Sequence, residues 1–405
     1  MNFAATAADY AGRSGRWSAI GLGFTIPISV ALDNVLLAIV LAGYLLGGAY
    51  REKWRVIRDN PVTLAALCLY ALLIAGTAYG ERNPGDAATY LVKYLDLLFI
   101  PVFAFLLRDA AARRHAIHAF AVSLALVLGL SYLIKVGLVP STSWLLGNPD
   151  YPVVLKQRLT HNILMAYGAF LFTHLAVTAT TRNVRMLWSA LAVLALVNVV
   201  FMIQGATGYL VLGTLVLYLG FGWRSWRGLA FAAGVVAIAT AVLALVPGSF
   251  HQKVTTIASE VSQWRPGQAD TTSAGLRLEF YRNSLAIVRE HPLLGVGTGG
   301  FPRAYAEQVR GTGMTEARNP HNEYLLIAVQ TGFVGLALLL HLFWQQWRLA
   351  TRLATPLETR LARGLVLTIA VGCLFNSLLL DHTEGLLFAW LTGLLYAGYN
   401  QKGNG

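Results

Sequence analysis

Charge is scarce in this chain. Only 12% of its 405 residues are Asp, Glu, Lys or Arg, against 56% hydrophobic, whereas a soluble domain is about a quarter charged. Such a deficit excludes an ordinary soluble globule and implies lipid as solvent. Acid is scarcer than base, 19 to 31, and the net charge of +12 raises the question of nucleic acid; in an apolar chain, however, basic residues first report topology. No nucleic-acid partner is expected. The two cysteines, Cys68 and Cys373, sit inside apolar runs, where core packing explains them and no disulfide is implied. No His, Cys and Asp cluster with metal-ligand spacing and no D-x-D pair occurs, so neither a metal nor any other cofactor is expected. The absence of a G-x-S-x-G elbow removes the commonest hydrolase reading. No A-x-A-like cleavage site follows Arg13 and Arg16, so the N-terminal segment reads as a retained start-transfer span.

What is present is a succession of apolar runs, each long enough to approach the roughly 30 Å of bilayer hydrocarbon. They predict an all-α polytopic membrane protein of about twelve transmembrane helices, near 17–32, 34–50, 62–79, 88–107, 116–137, 162–180, 186–204, 207–221, 229–246, 323–344, 364–380 and 386–399. The whole chain, 1–405, reads as one integral membrane domain. With all spans kept, more than half of the 31 basic residues fall in short loops on one side: Arg51 to Arg58, Arg108 to Arg114, Arg182 and Arg185, Arg224 and Arg227, Arg348 to Arg363, and Lys402. Short basic loops stay in the cytoplasm. Both termini are therefore expected there, and the long connection 247–322 on the outer face. That connection is far longer than any other, and loops of such length are usually functional or disordered. Its aromatics, helical periodicity and glycine-proline punctuation argue for helix, turn, helix, with a glycine hinge at Gly295 to Gly300.

Within 319–324, Asn319 reads as an N-cap, Pro320 as the first helical residue and His321 as part of the first turn, where the helix dipole favours the neutral imidazole. A predicted helix over 275–290 places Arg277 near the centre of a face with Phe280, Tyr281, Leu285, Ile287 and Val288. Arg282 and Arg289 project from the opposite side with Glu279 and Glu290. An arginine aimed into apolar packing meets an anion or snorkels outward, and its fixed fork suits a diphosphate. Arg158 and His161 end the other basic outer loop and open a span, as a second wall for an anion. Lys93 and Asp96, at the edge of another span, are expected to pair with each other.

Arg277-Leu-Glu-Phe-Tyr281, His291-Pro-Leu-Leu-Gly-Val-Gly-Thr-Gly299, and His321-Asn-Glu-Tyr-Leu325 followed by Gly332 and Gly335 occur in an order that resembles the O-antigen ligase and polymerase superfamily. The resemblance implies a metal-independent glycosyltransferase of the all-helical membrane class (GT-C-like), in the bacterial inner membrane with its active site facing the periplasm. Its donor would be undecaprenyl-diphosphate-linked O-antigen and its acceptor lipid A-core oligosaccharide, among membrane lipids. By position His321 matches the superfamily's loop histidine, the general base, and Arg277 the arginine before the H-P-x-x-G-x-G segment. Arg158-Leu-Thr-His161-Asn162 looks like the R-L-T-H-N stretch of ligase-type members. Arg277, Arg158 and Arg265 or Arg318 are then expected to hold the diphosphate, supported by His161, Asn322 and Tyr281. One position departs: Gly205-Ala206-Thr207-Gly208-Tyr209 has alanine where the superfamily pattern has arginine. O-antigen ligase is the leading expectation, with O-antigen polymerase or protein O-oligosaccharyltransferase as alternatives. A lipid-linked oligosaccharide flippase is the rival of another class, but it needs no histidine at the end of an outer loop and commonly shows repeated halves, which are not seen here.

Overall fold

The computed structural model describes residues 3–80, 84–140, 142, 144–268 and 271–399; Lys402 lies outside them. Among the described residues the chain is helical, with one isolated bridge, Asn148 to Tyr151, and no strand. Helices α1 (Phe3–Thr25) and α2 (Val30–Leu46) form an antiparallel pair. Gly15 and Gly43 let their backbones touch, since a Cβ on Gly43 would stand 2.6 Å from Ala11 O. A bend of 110° leads into α3 (Tyr50–Asp59), whose Arg51, Arg55 and exposed Trp54 give it the character of an interfacial helix. Then follow α4 (Pro61–Ala75), started by the Asn60 side chain, α5 (Pro84–Lys93), α6 (Asp96–Leu106) and α7 (Ala110–Lys135).

The second half opens with α8 (Arg158–Thr178) and α9 (Arg182–Val197), which ends in a π-turn at Asn198–Met202. Helix α10 (Ala206–Leu245) is broken at Arg224 and Ser225. Its halves fold back on one another, because Gly220 and Gly228 lie so close that a Cβ on Gly228 would stand 2.0 Å from Gly220 O. The connection 247–322 carries α11 (Ser249–Gln263), α12 (Ser273–Glu290) and α13 (Phe301–Gln308), three helices in place of the two expected. Helices α14 (Glu323–Leu349), α15 (Pro356–Gly372) and α16 (His382–Tyr396) complete the fold. Buried throughout from Thr383 to Tyr396, α16 packs along α6 and α15 as the central post. At one end of the bundle, Arg113 of α7 and Glu358 of α15 make a buried ion pair of 2.7 Å.

Each expected span overlaps helix, with the 207–221 and 229–246 pair on the two halves of α10, but 17–32 runs across the turn between α1 and α2, and 364–380 runs past the end of α15 into the turn 373–377. By length and composition five helices can cross a membrane, or up to six with the bent α2–α3 pair as one. Others, such as α4 and α16 with 15 residues each, fall short of the roughly 20 residues of a straight span. Apolar side chains stand exposed along α9 and α10, among them Leu187, Val193, Phe231 and Ile238, as lipid-facing surface requires.

The expected glycine hinge is a wedge. Helix α14 breaks at Gly332 (φ 63°), which frees backbone groups that a buried helix must satisfy elsewhere. The His291–Gly300 segment satisfies them. Val296 N donates to Val329 O (2.8 Å), Gly297 N to Gln330 O (2.9 Å), and Phe333 N to Pro292 O (2.7 Å). Gly299 N donates to the Gln330 side chain at 2.8 Å. The glycines are needed for close approach: a Cβ on Gly295 would stand 2.4 Å from Val329 O and one on Gly332 2.1 Å from Leu293 O. The 247–322 connection is thereby fixed to the bundle.

Candidate active site

Helix α14 starts three residues later than the sequence pattern indicates. Asn322 is the N-cap, accepting from Leu325 N at 3.0 Å, while Asn319 accepts from His321 N (2.8 Å) and from the Ser377 hydroxyl (2.7 Å). His321 therefore stands outside the helix in the left-handed region, φ 52°, a conformation that costs of order 1–3 kcal/mol for a residue with a side chain. The surroundings hold it there. Its carbonyl accepts from the Tyr281 hydroxyl (3.2 Å), which also reaches Leu374 O (2.8 Å), and its ring stacks on Phe280 at 6.1 Å. Asn322 ties the same corner to Leu374 O at 2.9 Å. Glu323, fully buried, accepts from the Tyr94 hydroxyl and from Leu379 N.

The His321 ring lies open on one side, with the Asn376 side chain near it. Its pKa is lowered from the usual 6.5, first by partial burial and then by the Arg277 charge, against a smaller upward pull from Asn376. The neutral imidazole favoured by the expected helix dipole is thus favoured by different causes. A neutral imidazole keeps one ring nitrogen able to accept a proton.

Helix α12 is capped by Thr272, and Glu260 of α11 accepts from Ala274 N at 2.8 Å. Its buried stripe runs through Glu279, Phe280, Asn283, Ser284, Ile287 and Val288. Glu279 is buried, not solvated as expected, while Leu285 is exposed. Arg277 lies at the edge of the stripe, one turn before Tyr281, and not at its centre. Arg282, Arg289 and Glu290 are exposed, as expected.

Arg277 and Arg158 meet in one small polar cavity, together with Lys253 of α11, Asn162, Asn376 and the start of α10 from Gly205 to Gly208. Its 70 Å³ equals roughly the share of two waters, enough to seat a compact anion while leaving a glycan outside. Glycines shape the wall: a Cβ on Gly205 would stand 2.1 Å from Asn162 Nδ2, and one on Gly208 2.6 Å from Asn162 Cβ. Two buried polar atoms of the lining, Asn162 Oδ1 and Asn376 Nδ2, have no hydrogen-bond partner. Lys253 has its pKa lowered by burial and by the charges of Arg158 and Arg277, partly offset by Glu260. Three cations and no carboxylate in the lining give the cavity a positive potential.

The other expected residues lie elsewhere. His161 is buried one layer behind, its Nε2 3.1 Å from Asn198 Oδ1, and Asn198 in turn donates to the Ser131 hydroxyl at 2.8 Å; the π-turn aims Asn198 at this contact. Arg265 turns back to the end of α11, donating to Ser262 O and Trp264 O. Arg318 is exposed, with its carbonyl taken by the Tyr90 hydroxyl. Neither lines the cavity. Lys93 lies near Asp381, and no ion pair with Asp96 forms among the described residues. Lys253 and Asn376 were not singled out from sequence; Lys253 sits in an amphipathic helix of ordinary composition, and Asn376 interrupts an apolar run.

A helical bundle with apolar side chains exposed along its helices and a small cavity lined by three cations defines a multi-pass membrane protein with a positively charged pocket. Residues 190–340 match the model of the O-Antigen ligase family, which bears out the resemblance to the O-antigen ligase and polymerase superfamily. That segment contains Ala206, Lys253, Arg277 and His321 but not Arg158. No curated protein matches the chain. Among solved structures, one reported under "Structural coordination of polymerization and crosslinking by a peptidoglycan synthase complex" is similar at 17% identity with a TM-score of 0.47, covering 83% of this chain and 96% of that one.

Proposed function

We propose that the protein is an O-antigen ligase, transferring O-antigen glycan from undecaprenyl diphosphate to lipid A-core oligosaccharide on the periplasmic face of the inner membrane. The observation that carries this reading is the convergence of Arg158, Lys253 and Arg277, from three helices, on one cavity next to the His321–Asn376 pair. The diphosphate lies in the cavity with the glycan outside, toward His321. An acceptor hydroxyl loses its proton to the free ring nitrogen as its oxygen attacks the anomeric carbon. The bond to the diphosphate oxygen breaks, its electron pair leaving with the carrier, and a single displacement inverts that carbon. The cations stabilise the charge developing on the leaving group.

Lys253 takes the place of the arginine that the superfamily pattern has at position 206. Ala206 is on the cavity wall, so a long side chain from there enters the same space that Lys253 occupies from α11. The R-L-T-H-N stretch favours the ligase over the polymerase, whose acceptor is another carrier-linked repeat. Purified protein incubated with carrier-linked glycan and lipid A-core tests the reading: product is expected only with both present. Elongation of carrier-linked glycan without lipid A-core refutes ligase in favour of polymerase.

A further inference from the structure

A second, larger cavity of about 570 Å³ opens where the end of α8, the break in α10 and the start of α15 meet. From Arg158 to His174 of α8 is sixteen residues, or about 24 Å of helix, so this cavity is separate from the anion site. Its inner wall is His174, only 5% exposed, with neither ring nitrogen hydrogen-bonded. The edge-on ring of Phe170, 4.5 Å away, holds the imidazole in place. A buried ring with a free donor and a free acceptor, facing an open cavity, lacks its partner. On one flank stand Arg360 and Arg363. Arg363 is anchored over the Trp347 ring and donates to Trp347 O at 3.4 Å. Glu358, the nearest acid in sequence to Arg360, is committed to Arg113. On the other flank lie Val177, Leu219 and Trp223, of which Val177 and Trp223 are largely exposed on the lipid-facing side. Trp223 and Trp226 beside the basic turn at Arg224 and Arg227 mark membrane-interface depth. A cationic inner flank and an apolar outer flank at that depth match an amphiphile with an anionic head.

We propose that this cavity binds the phosphate headgroup of an anionic phospholipid from the leaflet opposite the active site. Arg360 and Arg363 take phosphate oxygens, His174 donates its N–H, and Val177, Leu219 and Trp223 receive the first part of the acyl chains. The bound lipid would pin together the end of α8, the first half of α10 and the start of α15; the starts of α8 and α10 border the smaller cavity.

Delipidated full-length protein in neutral detergent, titrated with phosphatidylglycerol and followed by native mass spectrometry and thermal unfolding, provides the test. Saturable binding of one phosphatidylglycerol is expected, with a raised midpoint. Phosphatidylcholine and millimolar inorganic phosphate are expected to give neither. Arg360→Gln removes an exposed side chain without disturbing the packing, and should weaken phosphatidylglycerol binding by roughly tenfold or more; His174→Phe keeps the ring but loses its donor, and should weaken it less. The proposal is overturned if phosphatidylcholine binds as well, if Arg360→Gln binds phosphatidylglycerol like wild type, or if inorganic phosphate alone reproduces the full shift.

Discussion

Replacing Lys253 by alanine removes one of three cations around the anion cavity and leaves Arg158 and Arg277 in place. A hydrogen bond to a charged group contributes about 1.5–3 kcal/mol, equivalent to roughly 10- to 150-fold in affinity. Lys253 is half-buried, so solvent screening places the expected loss toward the lower end of that range. The assay is binding of undecaprenyl diphosphate, or a shorter polyprenyl diphosphate, to purified protein in nanodiscs, with unfolding midpoints as a folding control. The informative variant is the double one. In Lys253→Ala with Ala206→Arg, the lost charge re-enters from the opposite wall, and most of the affinity should return. Because burial, and then the charges of Arg158 and Arg277, lower the Lys253 pKa, binding of the diphosphate should draw a proton onto the lysine at alkaline pH. Proton uptake at that pH should disappear in Lys253→Ala. Unchanged donor affinity in the single variant, or a double variant no better than the single one, would refute the role given to Lys253.

The helices were legible because apolar periodicity and length report burial directly, and even the α10 hairpin was readable as two runs separated by Arg224 and Arg227. The start of α14 was misplaced by competition among caps. Asn319 and Asn322 both satisfy the N-cap preference, and Pro320 favours the first, yet the Asn319 side chain is drawn instead to His321 N and to Ser377, 58 residues on in sequence. Glu279 was misassigned for a related reason, since a helical wheel shows charge but not the neighbour that buries it. Arg277 and Arg158 stand out in the sequence because an arginine near the centre of an apolar face and one opening an apolar run are unusual, and the fold brings both to one cavity. Arg265 seemed equivalent by composition, but it closes its own helix end, a local contact no long-range pattern announces. Lys253 could have been suspected from Ala206, since a missing cation in an anion site invites a search for its replacement; where that replacement sits depends on how α11 packs, which Glu260 fixes through Ala274 N.

Cysteine labelling from outside intact spheroplasts should reach the 250–318 segment and not 345–363, because the latter shares the arginine-rich side; the reverse pattern overturns the topology. Transfer should survive chelator, since among the described residues no three His, Cys, Asp or Glu side chains group to hold a metal; a strict, restorable divalent-ion requirement would refute this. Arg277→Lys keeps charge but loses the planar fork and should weaken donor binding, whereas His321→Ala should leave the donor bound while transfer falls by roughly 10²- to 10⁴-fold. The pH profile ties the two residues together. In the proposed mechanism a neutral His321 is the base, and its pKa is held below 6.5 by partial burial and by Arg277, so transfer at saturating donor should be flat at and above neutral pH. It should fall only as pH drops through that lowered pKa. Arg277→Gln removes a positive charge that opposes imidazolium, so the pKa rises and the acid limb moves to higher pH. An acid limb that stays in place in Arg277→Gln, with donor still saturating, would mean that the group titrating in the rate is not His321.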